Sequence, residues 1–502
     1  MQKKLQHWNE VVEGTVFGPL AQYASTVEYD SRETTEDSIF VCIPGENYDG
    51  HQFIEQAIKN GAKTVAGTDA HLLSTYSSTF PSITFIHVAD ARLALAHLSS
   101  HVFGNPSESI STIGVTGTNG KTTVTSFIYS ILNALSLRTG SIGTAGIWDD
   151  AQKTSFRQTV PTTPEAPDIH RVLDHFNQKG MKAAVIESTS IAIEQKRLAT
   201  IDFNVAVHTN LTPEHLEFHG SMENYKQAKL KLFEQAERAV VNIDDTVMAG
   251  DILEIFNGPL LTYGKNERAD LRMRDIHTTL DGTSFTFQTH EGLFEVHAPV
   301  YGEYNVSNLL AAIGACKQAG YSMAEILSVI SMVKCPEGRY QIVKNDAPYQ
   351  IVLDYAHTPD ALSNILQAVS SIPYQKLIVM ITGVGLRDPN KRPLMAKAVE
   401  GMADEIIVSV DQPGFADRQE VVNDVLKGFR NPLEHNIHTK LYREEAIHHA
   451  FDLAAPGDLV LLTGIGFGGY QVIGNEKVPY SELEVIDDYF NKCPSYKDCV
   501  MF

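Results

Sequence analysis

The sequence predicts an α/β protein of three domains, and three observations carry that prediction. The chain is 502 residues long, which at about 150 residues per domain divides into roughly three. Strand-sized apolar runs alternate with helical periodicities along most of it, the pattern of parallel sheets with crossover helices. Turn clusters at Gly104-Asn105-Pro106-Ser107 and Cys335-Pro336-Glu337-Gly338 then divide the chain into segments 1–108, 109–336 and 337–502.

In 1–108 the run 38–43 reads as a strand and 52–58 as a helix. The second segment opens with a β-rich run at 110–115 and a glycine-containing loop. Beyond the loop Val124, Phe127, Ile128, Ile131, Leu132 and Leu135 recur at the spacing of one helix face. Strand runs follow at 183–186, 205–207 and 239–241. The third segment repeats the alternation with runs at 351–353, 377–381, 405–410 and 459–462. There is no internal repeat and no low-complexity stretch.

Composition narrows the class. Lys and Arg number 40 against 61 Asp and Glu, a net charge of −21. Nucleic-acid binding needs clustered cations to displace counterions, so this balance argues against it. A local basic pocket for a phosphorylated small molecule stays open. With 43% hydrophobic and 20% charged residues the chain is globular. No run approaches the 18 or so apolar residues of a membrane helix, and the N-terminus lacks an apolar signal core. The five cysteines show no C-x-x-C spacing, against a disulfide framework or a thiolate zinc site. A cytoplasmic protein without membrane insertion is expected.

The strongest local signal is Thr116-Gly117-Thr118-Asn119-Gly120-Lys121-Thr122-Thr123. Glycines let backbone N–H groups converge on phosphate oxygens, and the following helix adds its positive end. Lys121 is placed for the β- and γ-phosphates, and the Thr122 hydroxyl for Mg²⁺. The strict phosphate-loop motif has glycine where this chain has Val115. ATP binding through Gly117–Thr123 is the expectation.

That variant loop resembles the Mur ligase family, ATP-dependent amide ligases of cell-wall precursor synthesis, and the likeness spans nearly the whole chain. Asp30-Ser31-Arg32 and Asp49-Gly50-His51-Gln52-Phe53, followed by Thr162-Thr163-Pro164-Glu165, are similar to the MurE type. That type extends UDP-N-acetylmuramoyl-L-Ala-D-Glu by one amino acid. Folylpolyglutamate synthetases share the loop but not this first domain. The resemblance implies an N-terminal uridine-nucleotide-binding-like α/β domain, a central P-loop ATPase and a C-terminal Rossmann-like α/β domain that binds the amino acid and closes over ATP. It also implies two small-molecule partners, a UDP-muramoyl-peptide-like acid and an amino acid.

Matched residues then acquire roles. Glu187, at a strand end beside the loop, is a carboxylate suited to Mg²⁺. The segment from Asn210 to His219 resembles NLTxDHLDFH, whose histidine ligates metal; His215 matches it. An HExxH zinc site is excluded because Leu216 follows that histidine, and His219 reads as structural. Lys229 matches the lysine that the family carbamylates, which requires a neutral amine. Asn305 matches an adenine contact, although the pair with Asn308 before an expected helix at 309–315 reads equally as an N-cap. Arg339 and Asp354 match ATP-side contacts. Ser31, Thr162, Thr163, Thr189, Gln195 and Arg197 match acceptor positions.

The pattern fails in the C-terminal segment. The family's D-N-P-x reads Asp411-Gln412-Pro413-Gly414; arginine in its fourth place marks the meso-diaminopimelate enzymes. K-G-H-E-x-Y-Q becomes Ile465-Gly466-Phe467-Gly468-Gly469-Tyr470-Gln471, and G-x-G-G-D-R-D becomes Gly383-Val384-Gly385-Leu386-Arg387-Asp388. Arg387 and Asp411 survive, enough for one carboxylate and one ammonium if both reach the pocket. Meso-diaminopimelate is therefore expected to be a poor substrate. Two alternatives stand beside the ligase reading: a Mur-like ligase recruited to another acid and amine, and an inactive nucleotide-binding regulator. The intact set Lys121, Glu187, His215, Lys229 and Asp354 argues against the regulator.

Overall fold

The computed structural model describes residues 3–4, 11–21, 23–45, 48–156, 160–345, 347–464 and 469–492. They gather into two compact units. One comprises Met1–Arg272, Gln288–Glu291 and Leu309–Met332; the other comprises Met273–Phe287, Gly292–Asn308 and Val333–Phe502. Residues of the expected first and second domains thus share the first unit. No helix among the described residues is long and apolar enough to cross a membrane.

Two larger sheets organise the first unit. The N-terminal one has five strands in the order Gly14–Phe17, Thr84–Val88, Ala62–Gly67, Ser38–Val41 and Val27–Glu28. Its first pair is antiparallel and the rest parallel. In the second sheet Thr139–Gly143, Ala183–Glu187, Ser111–Thr116, Phe203–His208, Ala236–Asn242 and Leu260–Gly264 lie side by side, all parallel. Ala183–Glu187, Ser111–Thr116 and Phe203–His208 are buried nearly throughout, which is why they read as apolar runs. Gly146–Trp148 turns back antiparallel at the edge. In the second unit a six-stranded sheet runs Gln341–Ile342, Gln350–Asp354, Leu459–Thr463, Leu377–Val384, Glu405–Asp411 and Ile437–Thr439, parallel after its first strand.

Register explains the variant loop. Val115 is fully buried and paired with Glu187 on one side and Val207 on the other. The position where the strict motif has glycine is a core strand residue here, and the turn begins at Gly117. One expected element differs: the helix placed at 309–315 starts earlier, at Glu303, and runs as Glu303–Gln318. The polar pair Asn305 and Asn308 hid its first turn from a hydrophobic count.

Candidate active site

The phosphate loop leaves the carboxyl end of strand Ser111–Thr116 and feeds helix Lys121–Ala134, at the sheet edge where open α/β folds bind ligands. Gly117 has φ +148° and Gly120 φ +87°, backbone conformations that L side chains rarely adopt. A Cβ on Gly117 would run into Thr209 Oγ1. Glycine is demanded at both places.

A second segment clasps the loop from outside. Thr118 N donates to Asn210 O at 2.8 Å, and Asn119 N donates to Asn210 Oδ1 at 2.9 Å. The Thr209 hydroxyl donates to Asn119 O at 2.6 Å. Thr118 Oγ1 lies 3.1 Å from the Tyr225 hydroxyl and accepts from Thr212 N at 2.9 Å. Thr122 and Thr123 are buried in the first helical turn.

Lys121 Nζ folds back to donate to Gly117 O at 2.9 Å and Thr118 O at 2.8 Å. Lys229, 1% exposed, donates to the same Gly117 O at 2.8 Å. Its ammonium lies 4.7 Å from the centre of the Tyr225 ring. Burial, then the Lys121 charge, hold Lys229 well below the usual lysine range, with Glu214 opposing. Such an environment favours the neutral amine.

Glu187 is 1% exposed and fully engaged at the strand end. Thr122 Oγ1 donates to it at 3.1 Å, Thr144 N at 2.7 Å and the Thr144 hydroxyl at 3.2 Å. Gly143 makes room, since a Cβ there would meet the carboxylate. From Thr144 Oγ1 the network continues 2.9 Å to Thr162 Oγ1. Thr162 sits at φ +68°, a strained conformation for a β-branched residue.

Thr163 Oγ1 donates to Glu187 O at 2.6 Å and lies 3.0 Å from Thr189 Oγ1. Arg197 closes the chain, donating to Thr163 O at 2.8 Å and Gln195 Oε1 at 2.6 Å. It pairs with Glu165 at 3.0 Å, and Arg92 reaches the same carboxylate at 3.6 Å. Buried Arg197 Nε has no hydrogen-bond partner among the described residues.

The remaining expected residues stand as follows. His215 occupies the left-handed region at φ 54°; its Nδ1 is 3.5 Å from Glu217 and its ring lies edge-on to Tyr225. His219 is buried with Nε2 3.0 Å from Ser190 Oγ, as a structural histidine would be. Ser31 is buried in the N-terminal sheet's loops, its carbonyl held by Asn60 at 2.8 Å.

Asn305, Arg339, Asp354, Arg387 and Asp411 belong to the second unit. Asn305 is not an N-cap: it is the third residue of its helix, and its amide donates back to Tyr301 O at 2.9 Å. The Arg339 guanidinium stacks 4.4 Å from the Tyr355 ring centre. Asp354 accepts from Tyr340 N at 2.8 Å and Ala356 N at 2.9 Å; burial raises its pKa while Arg339 opposes. Arg387 is exposed. Asp411 is not a free substrate carboxylate, being fully buried, 3.7 Å from Arg443 and capped by Gln412 N at 2.8 Å. The altered stretch 465–468 lies outside the described residues.

Sequence reasoning missed Thr144, Tyr225 and Glu165. Tyr225 carried a usable signal, since it precedes Lys229 by four residues and so shares its helix face. No three His, Cys, Asp or Glu side chains among the described residues converge into a ready metal cage. The oxygen donors of Thr122 and Glu187 beside a phosphate loop nevertheless fit a hard cation that keeps phosphate or water ligands.

Three family models match successive stretches of the chain. A model of the Mur ligase middle domain matches residues 115–316, one of the Mur ligase glutamate ligase domain 338–466, and one of the Mur ligase family catalytic domain 24–101. A UDP-N-acetylmuramoyl-L-alanyl-D-glutamate–2,6-diaminopimelate ligase of Geobacillus kaustophilus is 36% identical, covering 91% of this chain and 93% of its own. Its counterpart in Clostridioides difficile is 33% identical over 96% and 99%. A solved structure of such a ligase superposes with a TM-score of 0.67 at 27% identity, covering 98% and 99%. The folylpolyglutamate synthase of Mycobacterium tuberculosis shares the fold over 74% of this chain and 91% of its own, at 17% identity and a TM-score of 0.62.

Proposed function

The chain belongs to the Mur ligase family, and from that premise we propose that it joins a UDP-N-acetylmuramoyl-L-Ala-D-Glu-type carboxylate to the amine of an amino acid, consuming ATP. The observation that carries the reading is the continuous hydrogen-bond network from Thr122 through Glu187, Thr144 and Thr162–Thr163 to Arg197. It joins the phosphate loop to Arg197, which matches an acceptor position of the family. The nearer relatives, named as diaminopimelate ligases, support the acceptor.

Chemistry follows from that layout. Residues 117–123 cradle the triphosphate, the N–H groups at the start of the helix from Lys121 binding its oxygens, and Lys121 swings from its internal carbonyls onto the β- and γ-phosphates. Thr162, Thr163, Thr189, Gln195 and Arg197 orient the acceptor so that its carboxylate oxygen attacks the γ-phosphorus in line. The bond to the β-phosphate oxygen breaks and ADP leaves, with Lys121 neutralising the developing charge. The amine nitrogen attacks the acyl carbon, inorganic phosphate departs, and the amine proton passes to solvent. Thr122, Glu187, His215 and Lys229 as a carbamate would hold Mg²⁺, which when bound neutralises phosphate charge. Asn305, Arg339 and Asp354 match nucleotide contacts of the family, and segments 1–108, 109–336 and 337–502 act as acceptor, ATP and amino-acid domains.

The altered Asp411–Gly414 turn favours a second reading, a ligase recruited to another acid and amine. One assay separates them. ADP release should require both UDP-N-acetylmuramoyl-L-Ala-D-Glu and an amino acid. Release with other acids, and silence with that acceptor, would establish the recruited ligase.

A further inference from the structure

The phosphate loop is held in shape by residues that lie outside it. Asn119 is gripped at both of its backbone groups. Its N–H donates to Asn210 Oδ1 at 2.9 Å, and its carbonyl accepts from Thr209 Oγ1 at 2.6 Å and Asn210 Nδ2 at 3.1 Å. Thr209 and Asn210 stand just past the end of strand Phe203–His208. The pairing of that strand with Ala236–Asn242 ends at His208 against Val241. A clasp placed beyond a strand end needs its own anchorage, because buried carbonyls there must still find donors.

Two side chains supply them. The Tyr263 hydroxyl donates to His208 O at 3.0 Å, and Asn242 Nδ2 donates to Thr209 O at 2.7 Å. Asn242 and Tyr263 are register partners on the adjacent strands Ala236–Asn242 and Leu260–Gly264. Asn242 Oδ1 accepts from Asp244 N at 3.0 Å, which turns the donor side of the amide toward Thr209. Tyr263 is 1% exposed, so packing fixes its ring. His208 Nε2 lies 2.9 Å from Asp245 Oδ2, which ties the turn after Asn242 to the same strand end.

We propose that Asn242 and Tyr263 are positioning residues for nucleotide binding, reaching the phosphate loop through Thr209 and Asn210. They fix the carbonyls of His208 and Thr209, and the clasp so anchored presents Thr118 and Asn119 in the shape that phosphates require. The gain is preorganisation, since a loop already fixed loses less freedom on binding than one the ligand must order. The proposal deepens the nucleotide half of the ligase reading and rests on it. Without either donor the clasp can relax in the free protein, and the nucleotide must restore it. An ordinary net hydrogen bond corresponds to about threefold to tenfold in an equilibrium constant, and a loss of that order is expected in affinity.

The test is the Kd for ADP with Mg²⁺, measured by calorimetry on the full-length protein beside urea unfolding and steady-state KM values. Tyr263→Phe removes only the hydroxyl and should weaken ADP about threefold or more; Asn242→Ala should do the same. In ADP release with UDP-N-acetylmuramoyl-L-Ala-D-Glu, KM for ATP should rise while KM for that acceptor stays within about twofold. Thr262→Val is the structural control. It removes a hydroxyl that donates to Asp270 Oδ2 at 2.7 Å on the same strand, and should lower the urea midpoint with ADP affinity unchanged. Unaltered ADP affinity in both variants, or equal rises in both KM values, overturns the proposal and leaves the ligase reading intact. If Asn242→Ala does not fold, Tyr263→Phe decides alone. Silence with that acceptor would overturn the acceptor, and the Kd values would still decide this proposal. No ADP binding by the unaltered protein overturns both.

Discussion

Gly117 is where two lysine nitrogens meet, since Lys121 and Lys229 both donate to its carbonyl oxygen. Lys121 has somewhere else to go: once phosphates enter, it exchanges carbonyls for a formal anion. Lys121→Ala should leave the protein folded and remove about 3 kcal/mol of transition-state stabilisation. A loss of ADP formation of two to three orders of magnitude is the expected result, and near-normal turnover would refute the loop's role. Lys229 has no such exit. Its buried, low-pKa amine can add carbon dioxide with loss of a proton. Lys229→Ala should be nearly inactive and regain part of its activity with a small added carboxylic acid, which supplies the missing anion; equal activity with and without that acid would count against the carbamate. Gly117 itself should tolerate nothing larger. Gly117→Ala combines a φ of +148° with a collision against Thr209, so a destabilisation of about 1–3 kcal/mol is expected, read as a lower urea midpoint.

At the scale of elements, the helix Met222–Glu234 sets Tyr225 and Lys229 one turn apart against the loop. Its start is defined by Ser221, whose hydroxyl accepts from Asn224 N at 3.2 Å. Ser221→Ala should cost about 1 kcal/mol while leaving turnover nearly unchanged, because the buried lysine is also held from the loop side. Both parallel sheets follow one rule. Many of their strands end in polar residues, Thr116, Glu187 and His208 in the first unit and Asp354, Asp411 and Thr463 in the second, at the edge where open α/β sheets bind ligands. Strand positions were legible in the sequence because doubly buried strands leave unbroken apolar runs. The start of helix Glu303–Gln318 was not, since Asn305 bonds back to Tyr301 and contributes nothing to an apolar stripe.

For the whole molecule, one contributor to acid stability is His170. His170 is buried with Nε2 2.8 Å from Thr200 Oγ1, and burial lowers its pKa to about 3. Folded His170 stays neutral where an unfolded histidine binds a proton, so unfolding takes up a proton below about pH 6.5. Stability is therefore full above that pH and falls toward pH 3 by up to about 1.4 kcal/mol per unit. His170→Gln should flatten that slope by one proton's worth in urea titrations, and an unchanged slope would show that other groups control it. The sequence by itself determined the α/β class, the phosphate loop and the family, and offered a candidate catalytic set, because glycine at positive φ, lysine after it and paired strands are demands a backbone writes locally. Only the tertiary structure decided that Val115 is core, that Thr144 and Tyr225 join the site, and that Asp411 is neutralised by Arg443 from 32 residues further on. Those facts depend on which strands become neighbours, and burial of a charge is a property of the assembled surroundings rather than of any stretch of chain.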